Sequence, residues 1–202
     1  MTANELRPFG QYNEVVFESQ QCAHASFQDC EFETCQFRDC DFSEATFVNC
    51  RFIDCDFYDC NCNVAKFQRS RMRQSQFYGC KLTGVNWTIL DWSGYALEPP
   101  FSFVQCELSF SVFPGLVLPQ LLLHECVAHE VDFSHCDLTG ADFHQTDLTG
   151  AYFHRTKLDQ CNFEQAYNFS IDPTHNSLVA ARFSTPEVLS LLTGFKIKID
   201  SE

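Results

Sequence analysis

The sequence lacks the features that define several classes of protein. It contains no uninterrupted apolar run near the ~18 residues of a membrane-spanning helix, and its polar start, with an early Pro8, does not resemble a signal peptide. Basic residues are scarce, with 13 lysines and arginines against 27 acidic residues and a net charge of −14. We therefore expect a cytoplasmic protein without membrane contact and without direct DNA or RNA binding, because nucleic-acid-binding domains are basic.

Catalytic signatures are missing as well. The sequence has no glycine-rich phosphate loop and no motif of the metalloprotease or hydrolase kind. His124, His144 and Glu164 recur at intervals of twenty residues, but three solvated side chains explain this spacing better than a metal site. We expect no enzymatic activity, no cofactor and no bound metal.

What the sequence does contain is a repeat of five residues. Phenylalanine occupies every fifth position from Phe27 to Phe57, and cysteine or alanine stands two residues before most of these rings. A period of five fits neither an α-helix nor a plain strand, and it identifies a repeat architecture. We call the large apolar residue of each unit its centre. The centres expected to fill the core include Phe27, Phe32, Phe37, Phe42, Phe47, Phe52, Phe57, Phe67, Phe77, Phe133, Phe143, Phe153 and Phe163.

The period also dictates a geometry. Side chains alternate along an extended chain, so a centre and the small residue two before it point to the same side. The other two residues of each unit must turn the chain, and four right-angle turns close a square coil of about twenty residues. Such coils stack about 4.8 Å apart through backbone hydrogen bonds. The sequence thus predicts an all-β, four-sided parallel β-helix filled by two inward layers of side chains.

The cysteines fit this scheme. Eleven of the 13 occupy the small inward position, and Cys22 and Cys62 are centres. In a secreted protein so many cysteines would indicate a disulfide scaffold. Stacked side chains that point the same way from successive coils are, however, too far apart for a disulfide. We expect reduced, buried thiols that pack as small hydrophobes.

The repeat divides the chain into five parts. Residues 1–14 do not repeat and are expected to form an N-terminal cap or a loose end. Residues 15–97 are the first repeat run, residues 98–102 break the register, residues 103–166 are the second run, and residues 167–202 form a C-terminal cap and dimerisation segment. The break contains two prolines and shifts the phase by one residue, which predicts a kink or bulge. The break has two interpretations, a tolerated insertion or a bend that shapes a binding surface.

Two further stretches carry apolar side chains outside the expected core. In residues 112–127 the outward positions are apolar, which fits either a contact surface or cover by neighbouring segments; they are Val112, Val117, Leu122 and Val127. Near the end, Ser184 and Glu187 form a capping box around Pro186, which predicts a short helix over residues 186–192 and a short strand over 195–199. The side chains expected to form a homodimer interface here are Val188, Leu189, Leu191, Leu192, Phe195 and Ile197.

The repeat units resemble those of the pentapeptide-repeat family, as in Ala141-Asp142-Phe143 and Cys136-Asp137-Leu138. That resemblance implies a right-handed quadrilateral parallel β-helix. Ile171-Asp172-Pro173 and Ala181-Arg182-Phe183-Ser184 resemble the C-terminal segment of its bacterial members, and Leu82-Thr83-Gly84-Val85-Asn86-Trp87 resembles the albicidin-resistance type. Together with the microcin B17 immunity and quinolone-resistance types, such members protect DNA gyrase from poisons.

The resemblance therefore implies a DNA-mimicking protein that binds DNA gyrase or topoisomerase IV and confers resistance or immunity. Residues 15–166 carry 21 acidic and nine basic side chains. Over about seven coils this gives one net negative charge per roughly 3 Å, within a factor of two of duplex DNA. The acids expected to face gyrase, outward on successive faces of one coil, are Asp132, Asp137, Asp142 and Asp147. The alternative is a non-catalytic structural or adaptor solenoid with an unknown protein partner.

Overall fold

The chain forms a parallel β-solenoid of about eight turns, so the predicted stacked coil is confirmed. The computed structural model describes residues 5–94, 99–195 and 197. Successive coils pair through residues that lie twenty positions apart, as Phe37 and Phe57 do. No helix within these ranges is long and apolar enough to cross a membrane.

Fifteen short strands occur in the described ranges, with a 3₁₀ turn over Trp87–Ile89 and a 3₁₀ helix over Glu187–Phe195. In chain order the strands are β1 Gln11–Asn13, β2 Val16–Glu18, β3 Ser26–Gln28, β4 Glu31–Glu33, β5 Gln36–Arg38, β6 Thr46–Val48, β7 Arg51–Ile53, β8 Asp56–Tyr58, β9 Lys66–Gln68, β10 Arg71–Arg73, β11 Ser75–Tyr78, β12 Phe101–Val104, β13 Leu123–His124, β14 Asn162–Phe163 and β15 Arg182–Phe183.

These strands stack on the faces of a four-sided coil. The first face is the sheet β1-β4-β7-β10, the second is β2-β5-β8-β11-β12-β13, and the fourth is β3-β6-β9. The third face is held by single bridges that run from Gln21↔Asp41 to Asp147↔Tyr167. Bridges continue the other faces, so that β14 and β15 extend the second face.

Stacked phenylalanine rings fill the interior. The thirteen phenylalanines named above are all buried, none more than 5% exposed. The Phe47 ring lies 5.1 Å from the Phe27 ring and 5.3 Å from the Phe67 ring, nearly parallel to both. It meets Phe52 of the next face edge-on at 5.4 Å. Such pairs contribute about 0.5–1.5 kcal/mol each beyond the burial of area.

The small inward side chains do more than fill space. Twelve cysteines are buried as free thiols and Cys22 is half-buried. The Cys60 thiol points at the carbonyl oxygen of Phe37, 23 residues earlier, with the sulfur 3.4 Å away. Hydroxyls in the same position donate to the equivalent carbonyl, as in Thr146 to Leu123 at 2.7 Å. The position therefore favours a small side chain that is also a donor, which hydrophobicity alone does not predict.

Two kinds of corner connect the faces. In a closed corner the centre's carbonyl accepts the amide three residues on, as Leu138 accepts from Ala141 at 2.9 Å. The residue two after the centre has a positive φ, +72° at Gly140, as a type II turn requires. The same backbone occurs at non-glycine residues, including Val64 at +57°. Open corners, without that amide bond, follow most of the three-residue strands of the first run, whereas after β9 the Ser70 amide donates to the Phe67 carbonyl at 3.3 Å.

The register break adds six residues to one coil, so that the phase of the five-residue repeat shifts by one residue. Phe103 pairs with Phe77, which lies 26 positions earlier. The amide of Asp91 still donates to the Ser70 carbonyl at 2.9 Å, and the chain has returned by Pro100, whose carbonyl accepts from Ser75 at 3.0 Å. The second face therefore continues through the break, because β11 pairs with β12. The predicted centre Leu97 lies outside the described residues.

The C-terminal segment also differs from the prediction. Its helix is a 3₁₀ helix over Glu187–Phe195, longer than the predicted 186–192. The Ser184 hydroxyl accepts the amide of Gln165 on the neighbouring coil at 3.0 Å, so it does not cap this helix. Phe195 ends the helix and does not begin the predicted strand. Residues 196, 198 and 199 of that strand lie outside the described residues.

Candidate protein-binding surface

The four candidate aspartates lie one on each face of the solenoid, as their bridges to Val112, Val117, Leu122 and Val127 show. All four are half-buried. Each uses one carboxylate oxygen to accept the amide two residues on; the partners are Ser134 for Asp132 (2.8 Å), Thr139 for Asp137 (3.1 Å), His144 for Asp142 (3.0 Å) and Thr149 for Asp147 (3.1 Å). These aspartates therefore stabilise the closed corners in addition to carrying charge.

Three of these carboxylates also meet a basic group. Lys157 Nζ lies 3.3 Å from Asp137 Oδ2, and His124 Nε2 lies 2.9 Å from Asp142 Oδ2. His129 Nε2 lies 2.9 Å from Asp147 Oδ2. Lys157 thus offsets part of the negative charge that the sequence assigns to this coil.

The pKa values of two aspartates reflect these contacts. Burial raises the pKa of Asp137, but bonds from Thr139 and Lys157 outweigh it and lower the pKa below its ordinary value. Burial acts on Asp147 in the same sense, and Thr149, His129 and Asn168 lower its pKa to about 2. Both side chains therefore remain ionised at neutral pH.

Arginines of the first face pair with acids on neighbouring coils. The Arg51 guanidinium contacts Glu31 on the neighbouring coil. Arg71 Nε donates to Asp91 Oδ2 at 2.6 Å. The contacts link neighbouring coils, so these arginines bridge coils and do not form an open basic surface.

Apolar side chains are exposed at the C-terminal end of the solenoid. Of the six predicted interface residues, Leu189, Phe195 and Ile197 are 46–54% exposed. Val188, Leu191 and Leu192 are half-buried, and Leu191 packs against the core. Phe183 stacks on Phe163 at 4.9 Å and covers the last coil. The helix therefore packs one side on the core and leaves another side to solvent.

The apolar outward coil is only partly open. Val117 is 62% exposed, whereas Val112, Leu122 and Val127 are half-buried. These four residues lie on four different faces and do not form one continuous patch.

A feature that the sequence analysis did not single out lies on the second face. The half-buried Tyr58 and Tyr78 stack on successive coils with ring centroids 5.1 Å apart and planes within 8° of parallel. The Arg38 guanidinium lies over the Tyr58 ring, 5.4 Å from its centroid. The sequence does contain the signal for this stack, since the two tyrosines lie twenty residues apart and each directly follows a centre. We call Tyr58 and Tyr78 the tyrosine ridge.

Comparisons with known proteins agree with this architecture. The family described as a pentapeptide repeat region matches residues 30–99, and pentapeptide repeats match residues 129–165. The fold defines a parallel β-solenoid, and the chain is a pentapeptide-repeat protein. No curated protein matches it significantly by sequence.

Solved structures resemble the fold at low identity. A trypsin-treated variant of QnrB1, a plasmid-mediated fluoroquinolone resistance protein, is 15% identical, with a TM-score of 0.62 over 95% of this chain and 100% of that chain. HetL of the cyanobacterium Nostoc sp. strain PCC 7120, involved in the regulation of heterocyst differentiation, is 14% identical, with a TM-score of 0.58 over 86% and 85%. At such identities the likeness concerns the fold alone.

Proposed function

We propose that this protein is a non-enzymatic DNA mimic that acts in the cytoplasm, binds DNA gyrase or topoisomerase IV, and protects the enzyme from a topoisomerase poison. The single observation that carries the proposal is the acidic rod. Residues 15–166 have a net of −12 along about seven coils of roughly 34 Å in total. A rod with that charge density suits a surface that normally holds duplex DNA. The QnrB1-like fold over nearly the whole chain is consistent with it.

The proposal includes an end-to-end homodimer. Leu189, Phe195 and Ile197 are exposed beyond the last coil, and a two-fold axis through them would join two rods. The pair would span about 70 Å, near 20 base pairs of duplex. The half of the rod that holds Asp132 and Asp147 would then flank the junction, where a symmetric enzyme presents its basic surface.

The test is DNA supercoiling by purified gyrase, with and without an albicidin-like or quinolone poison. We expect the protein to inhibit supercoiling or to restore it in the presence of the poison. Replacing the four aspartates at 132, 137, 142 and 147 with asparagine should abolish the effect while preserving the fold, since an asparagine oxygen still accepts the corner amide. An unchanged effect from a folded four-asparagine variant would refute charge mimicry by these residues.

The dimer is tested separately. Deleting residues 184–202 should yield a monomer in sedimentation that binds gyrase poorly. Leu189→Asp is a milder variant, because it places a charge in the interface and leaves the bond from Gln165 to Ser184 in place. A truncated or substituted protein that stays dimeric would exclude this interface.

The second candidate is a structural or adaptor solenoid that binds another protein. The HetL-like fold favours it, since HetL acts in the regulation of differentiation. Partial neutralisation of Asp137 by Lys157 points the same way. Absence of any effect on either topoisomerase at micromolar protein would favour this candidate.

A further inference from the structure

A notch lies beside the second face, where the chain rejoins the solenoid after the six-residue insertion. In an uninterrupted solenoid, the residues at the corner between the first and second faces would stack in a row, one from each coil. Here the register of β11 with β12 puts Pro100 after Asp54 and Gln74 in that row, and Gln120 follows on the next coil. The notch measures about 380 Å³, within the usual size range of ligand sites.

Polar acceptors and an apolar wall line this notch together. The lining includes Asp54, Asp56, Gln74 and Gln76, together with Ser102, Gln120 and the apolar Pro99 and Leu122. Asp54 meets Arg73 only at 3.5 Å, in an exposed contact. Because a carboxylate accepts up to about four hydrogen bonds, both acids retain acceptor capacity.

The tyrosine ridge is joined to the same notch. The Tyr58 hydroxyl donates to Asp56 Oδ2 at 3.3 Å, and the Tyr78 hydroxyl bonds to Gln76 Oε1. The two rings are thus held in place by their stacking and by residues of the notch. Preorganised tyrosines of this kind are frequent at the centres of protein interfaces.

We propose that the notch and the tyrosine ridge form a docking site for an arginine side chain of a protein partner. A guanidinium is planar, always charged and weakly hydrated, and it carries five donors. Asp54, Asp56 and the glutamine carbonyls supply acceptors for these donors, and the apolar wall suits the aliphatic stem. Arg38 over Tyr58 shows that these rings accept a guanidinium. The site lies apart from the four aspartates at 132–147 and does not require a topoisomerase as partner.

The experiment is an NMR titration of the full chain with the peptide acetyl-Gly-Gly-Arg-Gly-Gly-amide. Two matched peptides carry citrulline, which has the same shape without charge, or lysine. We expect saturable shifts confined to residues 54–58, 74–78 and 99–102 with the arginine peptide, and at least tenfold weaker binding of the other two. Asp54→Asn with Asp56→Asn should weaken arginine binding at least tenfold, whereas the control Asp159→Asn should not.

Several results would overturn the proposal. One is binding of citrulline as tightly as arginine, and another is shifts spread evenly over acids on all faces. Equal binding of lysine would exclude guanidinium recognition. Unchanged binding by the double asparagine variant would exclude the notch. If the double variant does not fold, each single variant decides the matter, because each should weaken binding severalfold.

Discussion

Replacing Asp137 by alanine and by asparagine separates the structural role of the corner aspartates from their charge. Alanine removes the acceptor for the Thr139 amide at 3.1 Å and the Thr139 hydroxyl at 2.6 Å. Loss of a comparable cap at a helix N-terminus costs about 1 kcal/mol, with a range of about 0.5–2. The half-exposed pair with Lys157 adds about 0.5 kcal/mol. We expect Asp137→Ala to lower the free energy of unfolding by about 1–2 kcal/mol and Asp137→Asn by about 0.5.

The assay is urea unfolding followed by circular dichroism at neutral pH. The ratio of the two effects matters more than either value, because both variants lose the same charge and the same ion pair. If asparagine destabilises as much as alanine, the carboxylate acts through Lys157 and not through the corner amide. If neither variant changes the midpoint, Asp137 has no structural role and the reasoning about corners is wrong.

Further predictions concern the core, the thiols, acid stability and a strained corner. Phe47→Asp should prevent folding, because it buries an unpaired charge between two stacked rings; Phe47→Leu should remain soluble, and a normal melt for the aspartate variant would contradict the inward position. The half-buried Cys22 should react first with a thiol reagent, and Cys136 slowly, because burial raises its pKa to about 12; equal native rates would refute this order. The pKa of Asp147 is lowered to about 2, so its stabilising contribution is complete above the unfolded value of about 3.9 and is lost as the pH falls towards 2; unfolding measured against pH should show a weaker acid dependence in Asp147→Asn. Val64→Asn should stabilise the protein by about 1 kcal/mol in the same unfolding assay, since an exposed β-branched residue holds a φ of +57° there; a loss of stability would contradict the strain.

The five-residue period was enough to predict the coil and its buried centres, because large apolar side chains at that spacing have one way to share an interior. It was not enough to predict the register across the break. In a repeat of five residues, an insertion of six residues and an insertion of one residue shift the phase equally. The spacing of the centres in the sequence therefore does not distinguish the two. The two insertions place Phe103 on different faces of the solenoid. Phe103 pairs with Phe77 on the second face and Phe101 is buried, which identifies the insertion of six residues.

The candidate site was harder to predict for a different reason. The repeat places Asp137 outward, and the pattern gives an outward acid no role beyond its charge. Its structural role, accepting an amide of the corner, depends on whether that corner is closed. Closure depends on the backbone bond between the centre's carbonyl and the amide three residues later. Ser184 was equally hard to predict, because its hydroxyl could accept an amide of its own helix or an amide of the neighbouring coil. In the structure it accepts the amide of Gln165 on the neighbouring coil. The tyrosine ridge depends on contacts between coils, which the period reveals only after the coil length is known.

The corner aspartates bear directly on the proposed mimicry. In the described residues, the side chains at these positions that accept the amide two residues on are mostly acidic. They are Asp41, Asp91, Glu107, Asp132, Asp137, Asp142, Asp147 and Asp172, together with the neutral Asn61, Asn86 and Asn162.

Asparagine makes the same bond at three of these corners, so the fold requires an oxygen there and does not require a charge. An acidic pentapeptide rod is therefore not an automatic consequence of the repeat, and the excess of aspartate over asparagine calls for a separate cause, such as solubility or a basic partner. Acids without a corner bond, including the exposed Asp39 and Asp59, carry charge that the turn does not use.

Substituting asparagine at corners and glutamine at exposed glutamates such as Glu130 removes charge while keeping every acceptor. If gyrase inhibition follows the number of charges removed, whatever their position, the partner recognises the rod as a polyanion. If it follows position, the partner recognises a particular face.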